Sequence, residues 1–183
     1  IVHLDDPKYL PRWARDLSPA AKKLADAFWP GPLTLVLKRA PAVADVVTGG
    51  QDTVAIRVPS HPVAQQLLSA FGGGIAAPSA NRFGHVSPTR PEHVREEFGD
   101  EVKIILDGED CKIGLESTIV SCVGEVPHLL RPGFITLSQL QAVVPEVTAA
   151  PDPDAPRAPG MLARHYSPGT PLNIVPSKSL EQV

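Results

Sequence analysis

Apolar residues along the first hundred positions fall into short runs punctuated by proline, glycine and acidic residues. Ile1-Val2-His3-Leu4 reads as the tail of a strand. Ser18 before Pro19 supplies an N-cap and a proline at the first helical position, so a helix is predicted over 20–28, presenting Leu24, Ala27 and Phe28. Trp29-Pro30-Gly31-Pro32 must end it. The unbroken run Leu33–Leu37 predicts a buried strand, and Thr53–Val58 alternates with period two until Pro59 closes it. Ser60-His61-Pro62 repeats the cap-then-proline device ahead of a helix to about Phe71. Gly72-Gly73-Gly74 then releases that helix into a short buried strand over 75–77.

Further on, Thr89-Arg90-Pro91-Glu92 fits a capping box that opens a helix to about Phe98, and Val102–Asp107 has the apolar content of another strand. Thr118–Val123, Gly124-Glu125 and Val126–Arg131 predict a hairpin with a two-residue turn, followed by a helix over 136–144. Interleaved strands and helices with one hairpin predict an α/β fold: a twisted, mixed parallel and antiparallel sheet with flanking helices. From Pro145 to Pro171 seven of 27 residues are proline and apolar periodicity is lost, as in a semi-extended linker. Leu172–Pro176 then reads as the first strand of a new unit. The expected division is 1–144, 145–171 and 172–183.

Composition narrows the classes. With 43% hydrophobic residues in 183, the chain can bury a core, and disorder is excluded. The 17 Lys+Arg against 20 Asp+Glu give a net charge of −3, so no global basic field draws it to nucleic acid or anionic lipid. A phosphate ligand must then meet local cations. Two cysteines, Cys111 and Cys122, make neither a disulfide scaffold nor a zinc site and read as small buried thiols in a reducing, cytoplasmic setting. No apolar run approaches the roughly 18 residues of a membrane span. The six histidines form no metal-ligand spacing, Asp107-Gly108-Glu109-Asp110 lacks the calcium-loop pattern, and no Lys-Ser/Thr follows the triple glycine. No protein metal site is predicted.

The densest polar stretch is Ala77-Pro78-Ser79-Ala80-Asn81-Arg82-Phe83-Gly84-His85-Val86-Ser87-Pro88-Thr89, leaving the end of a short strand. Loops at strand ends carry ligands in open α/β sheets, and hydroxyls and an amide suit phosphate oxygens; ordinary turn chemistry accounts for Pro-Ser-Ala-Asn equally well. Arg57 stands in an otherwise apolar strand. Alternation places it with Thr53 and Ala55, opposite Val54, Ile56 and Val58, so it either faces solvent, the better reading at this level, or aims its fork at a carboxylate or phosphate. Arg131 before Pro132-Gly133 has the same two readings.

Several motifs together are more specific than any alone. Ile1-Val2-His3, Trp29-Pro30-Gly31-Pro32-Leu33-Thr34, Thr53–Pro59, Ala76–Asn81, Ser87-Pro88-Thr89, Glu116–Val120 and Leu130–Gly133 occur in that order. Pro159-Gly160-Met161 and Arg164-His165-Tyr166-Ser167-Pro168 follow. In order and spacing the set resembles the threonylcarbamoyl-AMP synthase family, whose catalytic part is the YrdC-like domain, in its longer two-domain form. The resemblance implies conversion of L-threonine, bicarbonate and ATP to threonylcarbamoyl-adenylate and pyrophosphate, with Mg²⁺ arriving on ATP. The product would feed the threonylcarbamoyl modification of tRNA, alongside partner proteins of that pathway.

Carried over residue by residue, the resemblance places His3, Arg57, Ala77, Ser117 and Thr118 on threonine. Thr53, Ser79, Ser87 and Arg131 would hold ATP, with Tyr166 and Ser167 closing over the nucleotide from the linker. Ser79, Asn81 and Arg57 would stand nearest the reacting groups. The family's Lys-x-Arg element lies upstream of the segment with which this chain begins. The resemblance therefore implies that the first elements of the catalytic domain and most of a C-terminal domain are missing from these 183 residues, which alone would have negligible synthesis activity and poor stability. Two other readings are a carbamoyl-transfer module of hydrogenase maturation, which shares the domain, and a non-catalytic RNA-binding module. The His-Tyr-Ser-Pro linker argues against the first, and the net charge and lack of stacking aromatics against the second.

Overall fold

A computed structural model describes residues 1–152 and 154–160. Six strands form one sheet in the order β4-β1-β3-β2-β5-β6: β1 (Val2–His3), β2 (Leu33–Lys38), β3 (Thr53–Arg57), β4 (Ile75–Ala76), β5 (Thr118–Ser121) and β6 (His128–Arg131). β1 runs parallel to β3 and β2 parallel to β5, while β1–β4, β2–β3 and β5–β6 are antiparallel. The predicted mixed sheet is therefore present.

The core lies on one face. Leu33, Leu35 and Leu37 of β2, Val54 and Ile56 of β3, and Val2 and Leu4 pack with Leu24 of α1 (Pro19–Phe28). Leu140 of α5 (Leu137–Val143) joins the same cluster, and α1 and α5 touch each other. Ser18 caps α1 through Oγ, 3.1 Å from Ala21 N. The buried face of α1 is Ala21, Leu24 and Ala25 rather than one including Ala27, which points outward. Thr136 and Gln139 close a reciprocal capping box on α5 that the sequence reading did not single out. On the opposite face the same strands present Thr34, Val36, Thr53 and Arg57, and this face carries the polar chemistry.

Several expected elements differ. Val102–Asp107 is not a strand; Ile104 is 80% exposed, and the segment pairs with no strand among the described residues. Apolar content does not make a strand without a neighbour to take its backbone N–H and C=O groups. β4 is half-exposed at the sheet edge instead of buried, and it spans only Ile75–Ala76. The β5–β6 connection runs through six residues, 122–127, in place of a two-residue turn, with a register shift at Ile119/Val120. The helix α3 (Pro62–Phe71) has His61 at its N-cap position, and α4 (Pro91–Phe98) has Arg90 there, in each case without a side-chain cap hydrogen bond. Thr89 is taken by His93 Nδ1, 3.3 Å from its backbone N, so the expected capping box there does not form. Gly72 ends α3 in the left-handed region, φ +71°, as its position predicts.

Three short elements were not foreseen: 3₁₀ turns over Pro7–Arg12 and Gly99–Glu101 and a one-turn helix α2 (Asp45–Thr48), all too short for apolar periodicity to register. Cys122 is buried, its thiol pushed up to about 12 by desolvation, whereas Cys111 is exposed, contrary to the expectation for both.

Candidate active site

The carboxyl end of β1 places His3 beside Arg57, its Cα partner across the parallel ladder in β3. β4 leads from the other side of β1 into Ala77-Pro78-Ser79, and Ala77 N donates to Ile1 O at 3.0 Å. β5 begins behind Glu116 and Ser117, and β6 ends on Arg131. These segments surround one cavity of about 590 Å³ lined by His3, Arg57, Ala77, Ser79, Asn81, Glu116, Ser117 and Arg131. Alternation had grouped Arg57 with Thr53 and Ala55, and the structure turns Arg57 to the cavity instead of bulk solvent, with Thr53 and Ala55 lining a smaller recess beside it.

Both arginines are held by backbone carbonyls. Arg57 Nε donates to Gly31 O at 3.0 Å, which leaves its two terminal nitrogens without a partner among the described residues. Arg131 is buried, and its Nε and Nη2 donate to Ser117 O at 3.1 and 2.8 Å, with Nη2 also 3.0 Å from Ser117 Oγ. Ser117 Oγ lies 2.8 Å from Thr34 Oγ1. Gly133 permits this packing, because a Cβ there would sit 2.5 Å from both Glu116 O and Thr118 N. The arginine–serine–threonine group is thus built on backbone and fixed before any ligand arrives.

Electrostatically the cavity pairs two guanidinium groups with one carboxylate. Glu116 Oε2 lies 3.8 Å from Arg131 Nη2, and its Oε1 accepts from Ser87 Oγ. Burial, opposed by Glu116 and reinforced by Arg131, lowers the Arg57 value from the usual arginine range, which leaves the group charged at neutral pH. His3 is pushed down to about 4 by burial and then by Arg57, so it is neutral at pH 7. An anion entering here meets the positive charge of the arginines, while His3 presents an uncharged ring.

The remaining predicted residues lie apart from this cavity to differing degrees. Ser87 lines a neighbouring depression with Asn81, which borders both. Thr53 lines a smaller recess that shares Ile1, Val47 and Pro159 with the main cavity. Thr118 does not line it: fully buried, its Oγ1 donates to Ile135 O at 2.8 Å and accepts from Ile135 N at 3.0 Å. It is a structural clasp between β5 and the entry to α5. Replacing Thr118 with valine is expected to cost about 1–3 kcal/mol of stability, seen in urea unfolding, with ligand half-saturation unchanged. Tyr166 and Ser167 lie outside the described residues.

Glu116 and Phe83 at the cavity wall received no role from sequence, although Glu116 stands directly before Ser117 in a quoted motif. Residue order gave no sign of the Arg131–Glu116 approach. Among the described residues no cluster of three or more His, Cys, Asp or Glu could hold a metal ion. None of the described helices is long and apolar enough to cross a membrane.

Residues 1–133 match the family model of the Sua5, YciO and YrdC proteins, described as telomere recombination. The chain belongs to this Sua5/YciO/YrdC family. Residues 135–183 match a second model, the C-terminal domain of threonylcarbamoyl-AMP synthase. Within the family, the threonylcarbamoyl-AMP synthase of Pyrococcus abyssi is 41% identical over 180 residues, which are 96% of this chain and 53% of that protein. The Bacillus subtilis threonylcarbamoyl-AMP synthase is 43% identical over 179 residues, 95% of this chain and 52% of that one. The chain thus spans about half the length of the curated relatives it matches. The crystal structure of P. abyssi Sua5 complexed with L-threonine superposes with a TM-score of 0.83 at 41% identity, covering 91% of this chain and 51% of that one. Escherichia coli YciO shares the fold at 23% identity with a TM-score of 0.66.

Proposed function

We propose that this chain carries the substrate cavity of an L-threonylcarbamoyladenylate synthase, which joins L-threonine, bicarbonate and ATP and releases pyrophosphate. The observation that carries the reading is the convergence in one cavity of His3, Arg57, Ala77, Ser79, Asn81, Ser117 and Arg131, which come from five separated stretches of sequence. Similarity to a Sua5 solved with L-threonine supports the same reading.

The free nitrogens of Arg57 form a two-pronged receptor for the threonine carboxylate. Neutral His3, beside Arg57 across the ladder, and Ala77 line the same cavity and suit the hydroxyl and amine. Ser79, Asn81, Ser87, Thr53 and Arg131 face the triphosphate of MgATP, substrate and metal entering together. The amine nitrogen attacks the carbon of bicarbonate and water leaves, giving a carbamate. A carbamate oxygen then attacks the α-phosphorus and pyrophosphate departs. Neither step requires an enzyme nucleophile. Each requires alignment of anions that repel one another, and the fixed guanidinium groups offset that repulsion. Water exclusion preserves the labile product.

The intact protein is expected to release pyrophosphate from MgATP only when L-threonine and bicarbonate are both present, followed by a coupled pyrophosphate assay. Release independent of threonine would overturn the proposal. Salt-sensitive tRNA binding that ignores ATP and threonine would favour the RNA-binding reading instead.

A further inference from the structure

The proline-rich segment does not simply leave the domain; it returns across the cavity face and is fastened there. At one side, the Gln51 side-chain amide makes a reciprocal pair with the backbone of Arg157. Gln51 Nε2 donates to Arg157 O at 3.2 Å, and Arg157 N donates to Gln51 Oε1 at 2.9 Å. Two residues on, Pro159 O accepts from Arg131 Nη1 at 2.9 Å. Gln51 precedes β3 and Arg131 ends β6, so residues 157–159 bridge the strands between them, β3-β2-β5-β6. Pro159 forms part of the wall shared by the main cavity and the Thr53 recess.

Arg131 needs no strap to be held, since its Nε and Nη2 are already satisfied by Ser117 O. Gln51 differs. Its amide is spent on the Arg157 backbone, offering donor and acceptor side by side as a neighbouring strand would. Proline at 156 and 159 has no backbone N–H to offer, so the Arg157 N–H that Gln51 accepts lies in a stretch poor in donors.

We propose that Gln51 is a positioning residue of the nucleotide site: by gripping the Arg157 backbone it sets Pro159 against Arg131 and so fixes the wall between the Thr53 recess and the main cavity. The proposal rests on the functional reading above for the identity of the ligand, but not for the grip itself.

The Arg157–Ala158 peptide bond is a trypsin site that the grip should protect, because cleavage requires the segment to lift from the surface. In the intact protein without substrates, Gln51→Ala is expected to speed cleavage at this bond about tenfold, followed by mass spectrometry. Gln51→Glu, which keeps the acceptor for Arg157 N–H and loses the donor, is expected to fall between. The same Gln51→Ala protein should bind a non-hydrolysable ATP analogue about five- to tenfold more weakly, with its affinity for L-threonine unchanged. Unchanged cleavage would overturn the grip. Faster cleavage with unchanged analogue affinity would overturn the positioning role. If the wild-type protein protects this bond yet binds neither analogue nor threonine, the grip stands and the synthase reading fails.

Discussion

Arg57→Ala should raise the threonine concentration needed for half-maximal pyrophosphate release by roughly 100-fold or more, the loss of a bidentate charge-assisted contact of about 3 kcal/mol. The expectation follows from how the side chain is held. Nε is committed to Gly31 O at 3.0 Å, which aims the two remaining nitrogens into the cavity and spares the ligand the entropy of ordering a free arginine. Arg57→Lys keeps the charge but not the fork, so it should recover only part of the loss. The half-saturation for MgATP should change far less, because the proposal assigns the triphosphate to Ser79, Ser87, Thr53 and Arg131 and not to Arg57. Equal loss for both substrates would point to a collapsed site in place of a missing carboxylate receptor.

Stability should fall as pH drops from 6.5 to 4, by on the order of 3 kcal/mol from His3 alone. The sign follows from a folded-state value of about 4 against an ordinary 6.5, depressed first by burial and then by Arg57. In that window the unfolded chain binds a proton that the folded protein refuses, so acid favours unfolding. Above 6.5 both states are neutral at this site and the contribution is flat. Urea midpoints at pH 7 and pH 4 give the difference, and subtracting the same difference for His3→Gln isolates this residue from the carboxylates. An equal pH response in the two proteins would contradict the assignment. Arg57→Ala should also bring the His3 value back toward 6.5, which links the two predictions through one contact.

Much of the site was legible because its residues carry local signals. Period-two alternation in Thr53–Val58 grouped Arg57 with Thr53 correctly, and only the identity of the facing medium was open. Deciding between solvent and cavity requires knowing that β1 lies beside β3 and that Ala77–Asn81 returns past it, a relation between distant segments. The same limit explains Thr118. Its motif position beside Ser117 suggested a ligand contact, yet strand alternation turns it to Ile135, and this clasp depends on where the chain runs seventeen residues later. Val102–Asp107 failed for the converse reason: it has the residues of a strand but no neighbour. The Gln51–Arg157 pair, separated by 106 positions, left no trace in local pattern.

The central claim, that the His3–Arg57 end of the cavity is a threonine carboxylate site, is tested most directly by calorimetric titration of the intact protein with L-threonine and with L-threoninol, which retains the amine and hydroxyl and lacks the carboxylate. L-threonine should bind and threoninol should bind at least roughly 100-fold more weakly, with the preference abolished by Arg57→Ala. Equal affinity for the two ligands, or a preference that survives the loss of Arg57, would contradict it.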